Sequence, residues 1–268
     1  MEALQFLMIP FLGCVILILI HAYFGIHILE RGVIFLDLSL AQFIAVGIAV
    51  SCFTGDIPSH RFYYAAAFAV LGASILSFSK QIAQLVNIEA FIGVLYVFSF
   101  AMSILFLDKS AHGTDEFKSI LNGNILWMTR GDLLKASLLY AAIGGLHVLF
   151  WKKFIGLSYG NGKAFFWEFL FFLSFASVLV SSVQIAGILQ VFSFLVIPAL
   201  IGRLYHRKPV RTLLIGWGIG IAVSVIGVTL SYKLDVPTAP LIVASLSSIF
   251  FILLGVKARK SGGEAEKA

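Results

Sequence analysis

One carboxylate, Asp37, interrupts an apolar stretch that is otherwise long enough to cross a lipid bilayer. A charged side chain at such depth costs at least about 2.5–3.5 kcal/mol, so it faces a partner or an ion path. Two chemistries fit it: a structural pair with Arg31, or attraction of a passing cation. Gln42 follows five residues later. Five residues turn an ideal helix through about 140°, off the face of Asp37. The Gln42 amide suits an interhelical hydrogen bond or the wall of the same path. His21 and His27 lie on the preceding apolar stretch, six residues apart and also off a common face. A zinc site needs three or four converging ligands. Apart from Glu30 beside His27, neither histidine has a ligand at helical spacing, so interior hydrogen bonding is the expectation. His60, His112, His147 and His206 fall in loops or at helix ends, where interfacial or solvated roles suffice.

Other motifs carry less. Gly156–Lys163 looks like a phosphate loop, but Leu157 stands where that pattern needs Gly, and Ala164 where it needs Ser or Thr. ATP therefore belongs to another subunit. Gly216 and Gly220 form GxxxG, which lets helices approach closely, with packing inside one bundle the expectation. No Ser-His-Asp, HExxH or paired catalytic carboxylates stand at workable spacing, so no enzymatic activity is expected.

The elements that must hold these residues follow from composition. Of 268 residues, 60% are hydrophobic and only 12% charged. A soluble chain has about twice that charge. One soluble core could not hide so much apolar surface, which excludes soluble enzymes, nucleic-acid binders and disordered chains. Cys14 and Cys52 both sit in apolar runs and imply neither a disulfide framework nor a metal motif. Met1-Glu2-Ala3 lacks a basic leader region, so the first apolar run is expected to be retained.

Runs free of charge span 3–29, 38–55, 62–79, 90–107, 136–151, 169–202, 212–232 and 236–256. A spanning helix takes about 17–25 residues, so 169–202 is too long for one. A tight turn is expected near Ser181–Gly187. The run at 136–151 reaches span length once Leu133 and Leu134 join it. The reading is an all-α polytopic bundle of about nine spans, residues 1–256, with a longer polar excursion at 108–132 and a cytoplasmic tail at 257–268.

With the N-terminus outside and the C-terminus inside, thirteen of the nineteen Lys and Arg residues face inward and six outward, as the positive-inside rule demands. The net charge of +6 divides into +8 inside, −1 outside and −1 at Asp37.

Three segments, in order, resemble the permeases of ABC importers for zinc, manganese and iron. They are Gly25–Arg31 running into Phe35–Gln42 and on to Gly47; Ile120–Leu126 followed by Arg130-Gly-Asp132; and Val183–Ala199 followed by Arg203. The third, with Gly-Ile-Leu then Leu-Val-Ile-Pro-Ala and a basic loop, is the most specific. The resemblance covers about residues 10–255.

It implies a multi-pass cell-membrane permease working as a homodimer and importing a divalent metal. A cytoplasmic ABC ATPase and an extracytoplasmic metal-binding protein would be its partners, with membrane lipid around it and no nucleic acid. No resident cofactor is implied. Asp37 would act as the metal ligand of the translocation pathway, with Gln42 beside it. The ATPase coupling segment would fall at Phe154–Phe166, through Phe154, Gly156, Ser158, Tyr159, Gly160, Asn161, Gly162, Lys163 and Ala164. That segment lacks the acidic residue and Ala-rich turn usual in the family. The family also places Asp and His one turn apart in span two. Counting forward from Asp37, Ala41 takes the His position; counting back from Gly47, Gln42 does. A π-bulge would bring Gln42 nearer the Asp37 face. Three other readings remain: a permease for a metal chelate or small cofactor, an ion-gradient-driven secondary transporter, and a non-transporting membrane scaffold.

Overall fold

The computed structural model describes residues 2–32, 35–55, 60–110, 112–160 and 165–265. Among them the order is α1 (Glu2–Arg31), α2 (Leu36–Phe53), α3 (Arg61–Ser77), α4 (Ser79–Ile82), α5 (Ile88–Asp108), α6 (Gly113–Asn122), a 3₁₀ turn (Ile125–Trp127), α7 (Arg130–Leu149), α8 (Trp151–Tyr159), α9 (Phe165–Tyr205), α10 (Pro209–Leu234) and α11 (Thr238–Ala265). No strand occurs among the described residues, as lipid requires of a bundle whose backbone must satisfy itself.

Local chemistry sets several boundaries. The Asn87 side chain accepts the Ala90 N–H at the start of α5. Thr129 and Asp132 form a reciprocal capping box on α7. Pro209 opens α10, where its missing N–H costs nothing. The polar excursion at 108–132 is not a plain loop: it contains α6 and the 3₁₀ turn. At the other end α11 continues through Lys257 to Ala265 without a break.

Among the described residues seven helices are long and apolar enough to cross a membrane. One of them is α9, at 41 residues about twice the necessary length. It is two arms meeting at Gly187, whose φ of 74° and ψ of 163° are not helical. The contacts with α1 establish a hairpin. On the first arm Arg31 lies over Phe171 and His21 meets Ser182. Beyond Gly187 the order reverses, with Cys14 meeting Gln190, Gly25 against the Leu195 carbonyl and Glu30 paired with Arg203. The first arm therefore runs antiparallel to α1 and the second parallel. With the arms taken separately and the 17-residue α3 added, the described residues supply the nine expected spans.

The α2 helix is the most enclosed single span and packs on α3, α5 and α9. Small residues permit this closeness, as they must where lipid supplies no hydrophobic drive between helices. Gly216 and Gly220 do the same inside the bundle, against Pro198 and Ile18. The described ion pairs Arg61–Glu116, Lys109–Asp108 and Arg203–Glu30 each join residues on the same expected side. The charge partition thus has a counterpart in the folded chain.

Candidate functional site

Asp37 stands in the first turn of α2 and is 1% exposed. Its Oδ1 has no hydrogen-bond partner. The unpaired N–H groups of the first helical turn favour a negative charge there. Arg31 does not pair with it. That guanidinium turns away, over the Phe171 ring at 4.1 Å, while its Nε donates to Ser158 Oγ at 3.1 Å and it feels the charge of Glu168. The structural pairing that the sequence allowed for Asp37 is therefore absent, and the carboxylate is buried without a counter-ion among the described residues.

Residues 37, 41, 44 and 48 recur at the spacing of one helix face. On α2 they are Asp37, Ala41, Ile44 and Ile48, all buried. The helix is regular from Leu36 to Phe53, so the π-bulge considered above is not present. Ala41, not Gln42, stands one turn beyond Asp37 on its face. Gln42 is also buried, at 3% exposure, but on a different side of α2. The missing fourth-residue histidine is thus replaced by a methyl group.

The second candidate region is α8. Phe154 and Leu157 turn inward, and Lys152 and Lys153 remain exposed. Phe154 lies parallel on the His147 ring, with centroids 3.9 Å apart. Ser158 Oγ is 2.9 Å from His27 Nδ1 and also accepts from Arg31. Gly156, Ser158 and Tyr159 are half-buried and Gly160 is exposed. Asn161, Gly162, Lys163 and Ala164 lie outside the described residues.

His147 departs from the sequence expectation. It is not interfacial or solvated but 2% exposed. Ser174 Oγ donates to the Phe171 carbonyl, so His147 Nε2–H donates to Ser174 at 2.8 Å. Its Nδ1 then accepts the Tyr23 hydroxyl at 2.9 Å. This tautomer is assigned from the network. The sequence carried one usable signal: Tyr23, His27 and Arg31 recur every fourth residue on α1, a polar stripe aimed at α8 and the first arm of α9. His21 is satisfied within the bundle by the Leu17 carbonyl and Ser182.

The stack gives a direct stability prediction. Phe154→Ala removes a fully buried ring, a change that costs about 3–5 kcal/mol. Thermal melting in detergent is expected to fall, and Phe154→Leu should recover most of the loss. A melting temperature unmoved by the alanine change would remove Phe154 as the anchor of α8.

A multi-pass helical bundle with an uncompensated carboxylate in its most enclosed span, and an amphipathic helix anchored at one end, defines a membrane transport protein. Residues 3–257 match the ABC 3 transport family, and the chain belongs to it. It is 26% identical over 242 residues to the manganese transport system membrane protein MntC of Listeria monocytogenes, covering 87% of this chain and 84% of that one. The manganese import system permease protein ScaB of Streptococcus gordonii is 24% identical, over 85% and 83% of the two chains. A chain of the structure of PsaBC from Streptococcus pneumoniae in complex with Fab superposes with a TM-score of 0.78 at 24% identity, covering 94% of this chain and 93% of that one. That superposition supports the same fold.

Proposed function

We propose that the chain is the pore subunit of an ATP-driven importer for a divalent metal ion, working as a homodimer. A separate cytoplasmic ABC ATPase hydrolyses the ATP, and an extracytoplasmic binding protein delivers the metal. The observation that supports this most is Asp37, a carboxylate buried without a counter-ion, in a family whose relatives are named for manganese transport. Asp37 attracts the cation while Ala41, one turn on, adds no ligand. Gln42 contributes a neutral amide on an adjoining wall. Such a site binds weakly, as a pathway must if the ion is to leave. Carboxylate and amide oxygens suit manganese better than zinc. The α8 segment, from Phe154 to Gly160 and on through Ala164, receives the ATPase; Phe154 and Ser158 tie its movement to His147 and His27.

The test is co-expression with the cognate ATPase and ATP-dependent uptake across a panel of manganese, zinc and iron. Uptake of manganese ahead of zinc is the expected result; no ATP-dependent uptake of any of them would sink the importer reading. One observation favours a second reading, a permease for a metal chelate: among the described residues no group of three His, Cys, Asp or Glu side chains stands ready to hold a metal. Competition between labelled free ion and its chelates separates the two.

A further inference from the structure

An outer cavity of about 390 Å³ opens where four elements meet: Ile48 of α2, Arg61 and Phe62 of α3, Glu116 and Ser119 of α6, and Gln184 near the tip of the α9 hairpin. One ion pair stands in its wall. Arg61 donates to both oxygens of Glu116, from Nη2 at 2.8 Å and from Nη1 at 3.1 Å. The fork-on-fork geometry holds the guanidinium against both carboxylate oxygens, so an entering ion must compete with Arg61 for them.

The cavity is in register with the buried carboxylate. Ile48 and Asp37 are eleven residues apart, close to three full turns, so they deviate by only about 20° around α2 and stand about 16 Å apart along it. Between them on that face lie Ala41 and Ile44, both buried. The mouth above and the carboxylate below are thus joined by one helix face that is packed shut.

We propose that Arg61–Glu116 is the outer latch of the cation pathway, and that Glu116, with Ser119 and Gln184, is the first oxygen site a divalent cation meets. This rests on the importer reading above. A cation that takes Glu116 displaces Arg61, and the tie between α3 and α6 over the outer end of α2 is released. The latch is built to be broken at small cost. Its side chains are 37% and 22% exposed, and pairs in that setting are weak. A deeply buried pair would hold too firmly for an ion to compete.

Cys52 reports on the latch, since it lies near the outer end of α2 within reach of the charges of both Arg61 and Glu116. With Cys14→Ala as background, Cys52 is the sole thiol of the chain. The experiment measures its labelling by a membrane-impermeant maleimide applied outside right-side-out vesicles. Arg61→Gln and Glu116→Gln remove opposite charges near the thiol, so a rise of about fivefold in labelling rate shared by both, the factor that loss of a half-exposed pair supplies, is the expected result. The charge swap Arg61→Glu with Glu116→Arg should restore slow labelling. Mn²⁺ at constant ionic strength should speed labelling of the unsubstituted pair; it is preferred to Zn²⁺, which would ligate the thiol itself.

Single variants that label at the parent rate would overturn the latch, as would a swap that labels as fast as they do. Labelling indifferent to Mn²⁺ would overturn Glu116 as a cation site. ATP-dependent Mn²⁺ uptake is measured in the same vesicles. Its absence alongside the expected labelling pattern would end the importer reading and leave the latch standing.

Discussion

Asp37→Asn is expected to reduce ATP-dependent metal uptake by at least about tenfold, because it removes the carboxylate that attracts the cation, and about 1.4 kcal/mol of lost attraction is enough for that factor. The substitution keeps shape and removes the charge. Its second consequence separates function from structure. A carboxylate that braces the fold loses stability when neutralised, because its partner is left uncompensated. Asp37 has no such partner: Arg31 is engaged by Ser158, Phe171 and Glu168, and Oδ1 is unbonded. Neutralisation therefore relieves a desolvation cost, and thermal stability in detergent should hold or rise while uptake falls. Assembly with the ATPase, read by co-purification, should be unchanged. Uptake equal to the parent chain would remove Asp37 from the mechanism. A large drop in melting temperature would return it to a structural role.

The sequence made the spans legible because lipid imposes a length and a composition on each, and charge-free runs record both. The hairpin in α9 was readable for the same reason: 169–202 exceeds one crossing, and small and polar residues interrupt it near Gly187. Asp37 was legible because one charge in an apolar run is costly wherever it points. What the sequence could not supply was pairing across the fold. Arg61 and Glu116 are 55 residues apart, and nothing in either neighbourhood names the other. His147 reads as an interfacial residue beside Val148-Leu-Phe-Trp-Lys152, and only the return of α8 over it produces burial. The fate of Gln42 turned on one residue of helical register, which sequence spacing left open and the regular α2 decides.

Gly187→Ala should be the most damaging single change to the fold. Gly187 has φ 74° and ψ 163°, a region of backbone space essentially confined to glycine. Strain there costs about 1–3 kcal/mol for a residue with a Cβ. The Cβ would also land on the backbone of Asn122 and Gly123. Gly123 mirrors the case: its φ is 57° and ψ −168°, and its own Cβ would strike the backbone of Ala186 and Gly187. The two glycines lie backbone to backbone, closed by the Asn124 N–H donating to the Ile185 carbonyl at 3.3 Å. Backbone cannot rotate away as a side chain can, so the alanine must separate α6 from the hairpin. With strain and separation together above about 3 kcal/mol, a melting temperature lower by roughly 10 °C is expected. Gly123→Ala should act through the same contact, so the double variant should lose clearly less than the two single losses combined. Proteolysis near residues 122–124 should rise in all three. Additive losses would mean that the glycines serve separate contacts, and a Gly187→Ala chain melting within about 1 °C of the parent would mean that the hairpin tip does not need its left-handed residue. The expected coupling has a physical origin in α1: both arms of α9 run along it in opposite senses, so a displaced tip shifts the Ser182–His21 and Gln190–Cys14 contacts together.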